Sequence, residues 1–146
     1  MIKAAFCDDD LSVLNELHVL MDNYRVERNQ EITYTAFHSP LELIAQIEKG
    51  MRFDILFLDV LMPGVNGIET AQEIREYDSA MKIIFLTSSA EYAVESYTVN
   101  AYFYQLKPIW PESFYRLMDS VLKECAQEQR RSLILRCKSG ITQISL

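Results

Sequence analysis

Asp8, Asp9, Asp59, Thr87 and Lys107 are the side chains whose types and spacing suit chemistry. Each follows a short apolar run: residues 2–7, 55–58, 82–86 and 102–106. If those runs are parallel strands of one sheet, their carboxyl ends share an edge and the five residues converge. Three carboxylates brought together repel, and they persist as anions only if a cation joins them. Oxygen ligands with positions left for water suit Mg2+, which takes one or two carboxylates plus a phosphate. Cys7 is adjacent, but thiolate favours softer metals, so it is left out of the site. Lys107 adds a compact positive charge, and the Thr87 hydroxyl and nearby backbone amides add donors. Together they make a receptor for a phosphoryl group with a carboxylate nucleophile at its centre. Taken singly, each residue reads as a cap, a turn or a surface charge. Asp59 fits a helix N-cap poorly, because loop residues separate it from the helix that begins near Ile68.

Placing these residues is the task of the elements between them. The strand at 2–7 stops abruptly at Asp8, Asp9 and Asp10. A helix follows, with Val13, Leu17, Leu20 and Tyr24 on one stripe. Residues 32–37 are β-branched and aromatic enough for a second strand. Ser39 is placed to cap the next helix, with Pro40 in its first turn, Glu42 closing a capping box and Gly50 at its end. Residues 55–58 read as a strand buried on both faces, and Met62-Pro63-Gly64 turns the chain after Asp59. A third helix over 68–77 points Ile68, Ala71, Ile74 and Tyr77 inward. A fourth strand over 82–86, a short helix over 91–99 and a fifth strand over 102–106 come next. The last helix shows Phe114, Leu117, Met118, Val121, Leu122 and Cys125 on one face. Five strands alternating with five helices predict an α/β fold, a doubly wound parallel sheet covered on both faces.

Composition changes after Ala126. Residues 127–131 are polar, and 132–146 read as two short strands around Lys138-Ser139-Gly140, a hairpin-like extension. The expected division is therefore 1–126 as one domain and 127–146 as a linker and the start of a second. Apolar content of 49% and charged content of 24% suit a soluble globular chain. The net charge of -7 argues against a broad basic surface for nucleic acid. No apolar run reaches membrane-spanning length, and acid follows the N-terminus too soon for a signal peptide. Cys7, Cys125 and Cys137 are odd in number and widely spaced, which fits a reducing cytoplasm better than disulfides or zinc. His18 and His38 lack partners at ligand spacing, and Trp110 is expected to pack over the start of the last helix.

The chain resembles the receiver domain of two-component response regulators. The matching pieces are Cys7-Asp8-Asp9, Leu58-Asp59-Val60-Leu61-Met62-Pro63 with Gly67 eight residues after the aspartate, Leu86-Thr87-Ser88, and Leu106-Lys107-Pro108. The resemblance covers roughly the first 125 residues and implies a flavodoxin-like sheet of order 2-1-3-4-5. It implies Asp59 as phosphoacceptor, Asp9 as a direct Mg2+ ligand, Asp8 acting through water and the Leu61 carbonyl as a further ligand. Thr87 and Lys107 would contact the phosphoryl oxygens with the Ser88 backbone, and the Lys107-Pro108 bond would be cis. Tyr104 matches the family's switch aromatic: Thr87 is drawn to the phosphoryl group and Tyr104 rotates inward. Leu61 and Ser89 stand where fast-cycling members carry side chains that orient the hydrolytic water, which implies slow autodephosphorylation.

Residues 133–146 are similar to the opening hairpin of LytTR DNA-binding domains of LytR/AgrA-type regulators, and residues 91–97 also look like that subfamily. The resemblance implies a phosphoacceptor switch rather than an enzyme. Its expected partners are a sensor histidine kinase, a second copy on phosphorylation, and promoter DNA through an output domain mostly outside this sequence. A stand-alone receiver or phosphorelay protein is the alternative. An aspartate-nucleophile phosphatase would need a second aspartate where Leu61 stands, and a flavin-binding protein would need hydroxyl- and glycine-rich loops in place of the acids.

Overall fold

The computed structural model describes residues 1–139. The strands are β1 (Ile2–Cys7), β2 (Ile32–Phe37), β3 (Ile55–Leu58), β4 (Leu61–Met62), β5 (Val65–Asn66), β6 (Lys82–Thr87) and β7 (Phe103–Leu106). The helices are α1 (Leu11–Glu27), α2 (Pro40–Glu48), α3 (Gly67–Arg75) and α4 (Pro111–Ser139). The central strands are uninterrupted apolar runs because successive residues face opposite sides of a sheet that is covered on both. Ala4, Phe6, Ile55, Phe57, Ile84 and Leu86 pack under α1 and α4. Ala5, Cys7, Leu56, Leu58, Ile83 and Phe85 pack under α2 and α3. The five parallel strands lie in the order β2-β1-β3-β6-β7, the expected doubly wound arrangement. Winding reverses between β1 and β3, so a crevice opens at their carboxyl ends.

Caps set the helix starts. Ser39 accepts from the Leu41 amide with Pro40 as the first helical residue, as the sequence implied. Asp10 accepts from the Ser12 amide and caps α1, and Asn66 does the same for α3 through Ile68. The third of the leading acids is thereby engaged in capping. Between β3 and α3 the chain makes a small antiparallel hairpin, β4 with β5, where Met62-Pro63-Gly64 implies only a plain turn.

Four expectations need correction. The helix expected over 91–99 is a set of turns followed by a 3-10 helix, Glu95–Val99. Ser96 and Val99 are its buried residues, and a spacing of three suits a helix with three residues per turn. Tyr77 lies beyond the end of α3 and is exposed. Trp110 is 65% exposed, and Ile109 takes the packed position beside it. The hairpin expected from 132 onward is helical through Ser139, because α4 runs unbroken across the expected boundary at 126 and 127. Glu, Gln, Arg and Leu are good helix formers, and a helix satisfies its backbone hydrogen bonds locally, whereas a strand needs a neighbour. The rest of the expected hairpin, 140–146, lies outside the described residues.

Candidate functional site

Asp8 follows β1, Asp59 follows β3, Thr87 ends β6 and Lys107 follows β7, so all four sit along the carboxyl edge of the sheet. Each is fixed there by a backbone bond to the neighbouring strand. The Asp8 amide donates to Phe37 O at 3.1 Å, the Asp59 amide to Cys7 O at 3.0 Å, and the Lys107 amide to Thr87 O at 2.8 Å. Asp59 is further confined by Gly67. A Cβ there would lie 2.2 Å from the Asp59 carbonyl oxygen and 2.7 Å from Val60 Cα, so only glycine lets α3 begin this close to the loop.

The carboxylates of Asp8, Asp9 and Asp59 each offer an oxygen within 4.8 Å of the others. Lys107 Nζ joins two of them, at 2.8 Å from Asp8 Oδ2 and 3.3 Å from Asp59 Oδ2. Asp8 and Asp59 are buried, whereas Asp9 is exposed. Burial lifts Asp8 above the ordinary carboxylate range, against the hydrogen bonds from Lys107 and the Asp10 amide. Burial alone would lower Lys107, but the hydrogen bond to Asp8 and the charges of Asp59 and Asp8 outweigh it and hold the ammonium above its usual value. Cys7 is pushed up to about 12, chiefly by burial and then by the charge of Asp8, so it stays a neutral thiol. That agrees with leaving it out of the ligand set.

Three carboxylates against one ammonium leave two negative charges in excess, which one divalent cation would balance. Oxygens about 2.1 Å from a shared hard cation stand roughly 3–4 Å apart, within a rotamer adjustment of the spacing here. The donor set therefore fits a hard divalent ion held by Asp8, Asp9 and Asp59.

The expected neighbours fall around this centre. The Asp59 Oδ1 accepts from the Leu61 amide at 3.2 Å, and the Leu61 side chain is exposed. Thr87 is fully buried, and its Oγ1 accepts from the Ser89 amide at 3.4 Å, while Ser88 between them is exposed. The Lys107-Pro108 peptide is cis, as expected. Tyr104 packs against Phe85 and donates its hydroxyl proton to the Ser89 carbonyl. That acceptor was missed in the sequence, since a backbone carbonyl carries no residue signature. Arg75 was missed for the same reason. Its guanidinium donates to the Val99, Asn100 and Asp78 carbonyls, pinning the end of the 3-10 helix to α3. His18 lies on the surface of α1 beside Asp22 and Tyr34, away from the site.

Known proteins share this fold. Residues 5–121 match the family described as response regulator receiver domain. The sensory transduction protein LytT of Oceanobacillus iheyensis is 38% identical over 80 residues, 53% of this chain and 32% of that protein. The transcriptional regulatory protein YpdB of Escherichia coli K12 is 32% identical over 104 residues, 65% of this chain and 42% of that protein. This chain thus spans less than half the length of either relative. The response regulatory domain of protein mrkE from Klebsiella pneumoniae has the same fold, with a TM-score of 0.76 at 23% identity over 86% of this chain and 99% of that chain. No helix among the described residues is long and apolar enough to cross a membrane. With four-fifths of its length matched, the chain belongs to the response regulator receiver domain family.

Proposed function

We propose that Asp59 accepts a phosphoryl group from a phosphohistidine of a partner histidine kinase and that this switches a transcriptional output. One observation carries the reading: Asp8, Asp9 and Asp59 converge with Lys107 at the sheet edge. In the transfer, an Asp59 carboxylate oxygen forms the new bond to phosphorus as the bond to the histidine nitrogen breaks. The electron pair stays on the imidazole, which takes up a proton, and Asp59 becomes an acyl phosphate. Asp8, Asp9, Asp59 and the Leu61 carbonyl would hold Mg2+, which supplies charge neutralisation on the phosphoryl oxygens. Lys107 releases Asp59 and takes a phosphoryl oxygen, while the Thr87 hydroxyl and the Ser88 amide donate to the others. Chemistry of this kind makes the chain a phosphoacceptor that modifies itself rather than an enzyme acting on a separate substrate.

The switch reading rests on Thr87 and Tyr104. Moving Thr87 toward the phosphoryl group disturbs the Ser89 segment that now accepts from Tyr104, and Tyr104 turns inward. A second copy would pair through the adjacent surface, where Tyr97 is 84% exposed and Phe103 lies open beside it. The transcriptional output is drawn from the relatives' names and belongs to chain beyond the receiver, reached through α4. A cytoplasmic location follows from the same reading.

Incubation with acetyl phosphate and Mg2+, followed by intact-mass measurement, tests the acceptor. Wild type is expected to gain one phosphoryl group, while Asp59→Asn and wild type in a chelator stay unlabelled. Equal labelling of wild type and Asp59→Asn would remove Asp59 from this role. The acyl phosphate is expected to be slow to hydrolyse. Leu61 offers the attacking water no hydrogen bond, and the Ser89 hydroxyl is engaged with the Glu91 amide at 3.2 Å. Loss of the label within seconds in Mg2+ buffer would refute slow resetting.

A further inference from the structure

Charge is distributed very unevenly along this chain. Residues 1–128 hold all 21 acidic side chains and 10 of the 14 Lys and Arg, a formal charge of -11. The last 18 residues hold no acid and four cations, Arg130, Arg131, Arg136 and Lys138, a formal charge of +4. All four lie on the distal part of α4, where every residue from Gln129 to Lys138 is exposed. Glu128 is anchored to Lys82 at the start of β6, and the helix leaves the body beyond Ser132, which still lines a cleft with Arg52, Asp54 and Asp78. At 1.5 Å per residue, Arg136 and Lys138 stand about 6–9 Å further along the axis. That is comparable with the Debye length of about 8 Å at physiological salt, so the acidic body is partly screened from this tip.

Favourable interaction with the helix dipole accounts for Arg136 and Lys138 in the last turn, but it fades within that turn and leaves Arg130 and Arg131 unexplained. Arg131 reaches Glu124 only at 3.5 Å across an exposed surface, a pair of little energetic weight. We propose that residues 129–139 form a sequence-independent contact for the phosphate backbone of duplex DNA. A membrane surface suits this helix less well. Leu133, Ile134 and Leu135 are consecutive and so spread over about 200° of the helix, and Arg130, Arg131 and Lys138 project into the same arc, leaving no continuous apolar face to insert. Arg130, Arg131 and Lys138 project within about 100° of one another and Arg136 points the opposite way, which suits an element with phosphates on more than one side. The choice of DNA as the polyanion rests on the proposed transcriptional role, but the contact does not depend on phosphorylation of Asp59.

Fluorescence anisotropy of the unphosphorylated 146-residue chain with two labelled duplexes of unrelated sequence tests the idea. Weak binding of equal strength to both is expected. Four phosphate contacts would give a log–log salt slope no steeper than about -3.6, up to roughly a 10²-fold loss between about 50 and 200 mM salt. Replacing Arg130, Arg131, Arg136 and Lys138 together by Gln, which keeps helix propensity, should abolish binding at unchanged far-UV helicity. Lys123→Gln, on the same helix but beside the body, should change affinity less than about twofold. Asp59→Asn should bind like wild type, so failure of the phosphoacceptor reading and failure of this one remain distinguishable. No binding by wild type at the lowest salt would overturn the proposal, as would an unaffected quadruple variant. Tighter binding to phosphatidylserine-containing vesicles than to DNA would overturn it in favour of a membrane.

Discussion

The carboxyl edge of the sheet and the distal half of α4 both concentrate charge, and they hold it in opposite ways. At the edge, Asp8, Asp59 and Lys107 come from three separate strand ends, and each backbone is tied to a neighbouring strand. Their side chains then bond to one another out of most of the solvent. On distal α4 the cations are neighbours in sequence, solvated, and held only by the helix that carries them. The first arrangement exists only when the whole domain is folded and fails if one strand end moves. The second needs only local helix and is cheap to lose.

Three substitutions probe that contrast. Gly67→Ala is expected to have the largest effect. Its Cβ would meet backbone atoms of Asp59 and Val60 that no side-chain rotation can relieve. A loss of about 3 kcal/mol is expected from overpacking at this junction, read from the denaturant midpoint. A loss under about 1 kcal/mol would mean the start of α3 can shift freely, and the edge would be less constrained than argued.

Lys107→Met should cost about 2 kcal/mol at neutral pH without divalent cation, because it leaves Asp8 and Asp59 facing each other with no counter-charge. Lys107 retains some solvent, so the loss stays below that of breaking a fully buried pair. Its folded-state pKa lies above the ordinary lysine value. Its stabilisation is therefore fully present below about pH 10.4, the ordinary lysine pKa, and is lost as pH rises through the higher folded value. Urea midpoints of wild type and variant should run parallel from neutral pH upward and converge only in that alkaline window. Convergence already at pH 8 would contradict the raised pKa.

Ser132→Pro should matter least. It breaks the helix around residue 128 and beyond, yet the global midpoint should move by less than about 0.5 kcal/mol, with hydrogen exchange accelerating only in the last turns. A global loss comparable with that of Gly67→Ala would erase the distinction between the two regions.

Much of this organisation was legible in the sequence, and the reasons are physical. Strands 55–58 and 82–86 could be located because burial on both faces demands an unbroken apolar run, and turn or polar residues must end it. Asp8, Asp9, Asp59 and Lys107 follow such runs, so parallel topology alone brings them together. The tail misled because Leu133-Ile134-Leu135 is a short apolar run that suits strand and helix alike. What decided it was continuity with α4, which no local pattern carries. The segment 91–99 looked helical because its composition permits a helix, whereas its two buried residues favour the tighter 3-10 form. Trp110 was assigned to packing by residue type, but the neighbouring Ile109 fills that space. Anchors such as Arg75 and the Ser89 carbonyl lie beyond sequence reading, since their partners are backbone atoms of distant segments.

Strand β6 has a residue of special interest at each end. Thr87 closes it at the acidic edge, and Lys82 opens it beside Glu128 of α4, about 16 Å away at 3.3 Å per residue. The two are five positions apart, an odd number, so their side chains emerge on opposite faces: Thr87 toward the α2 and α3 side, Lys82 toward α4. A paired strand hardly stretches, so it works as a strut through the wall of the molecule. It joins the acidic edge to the root of the helix that leaves the domain, on the far face and at the far end.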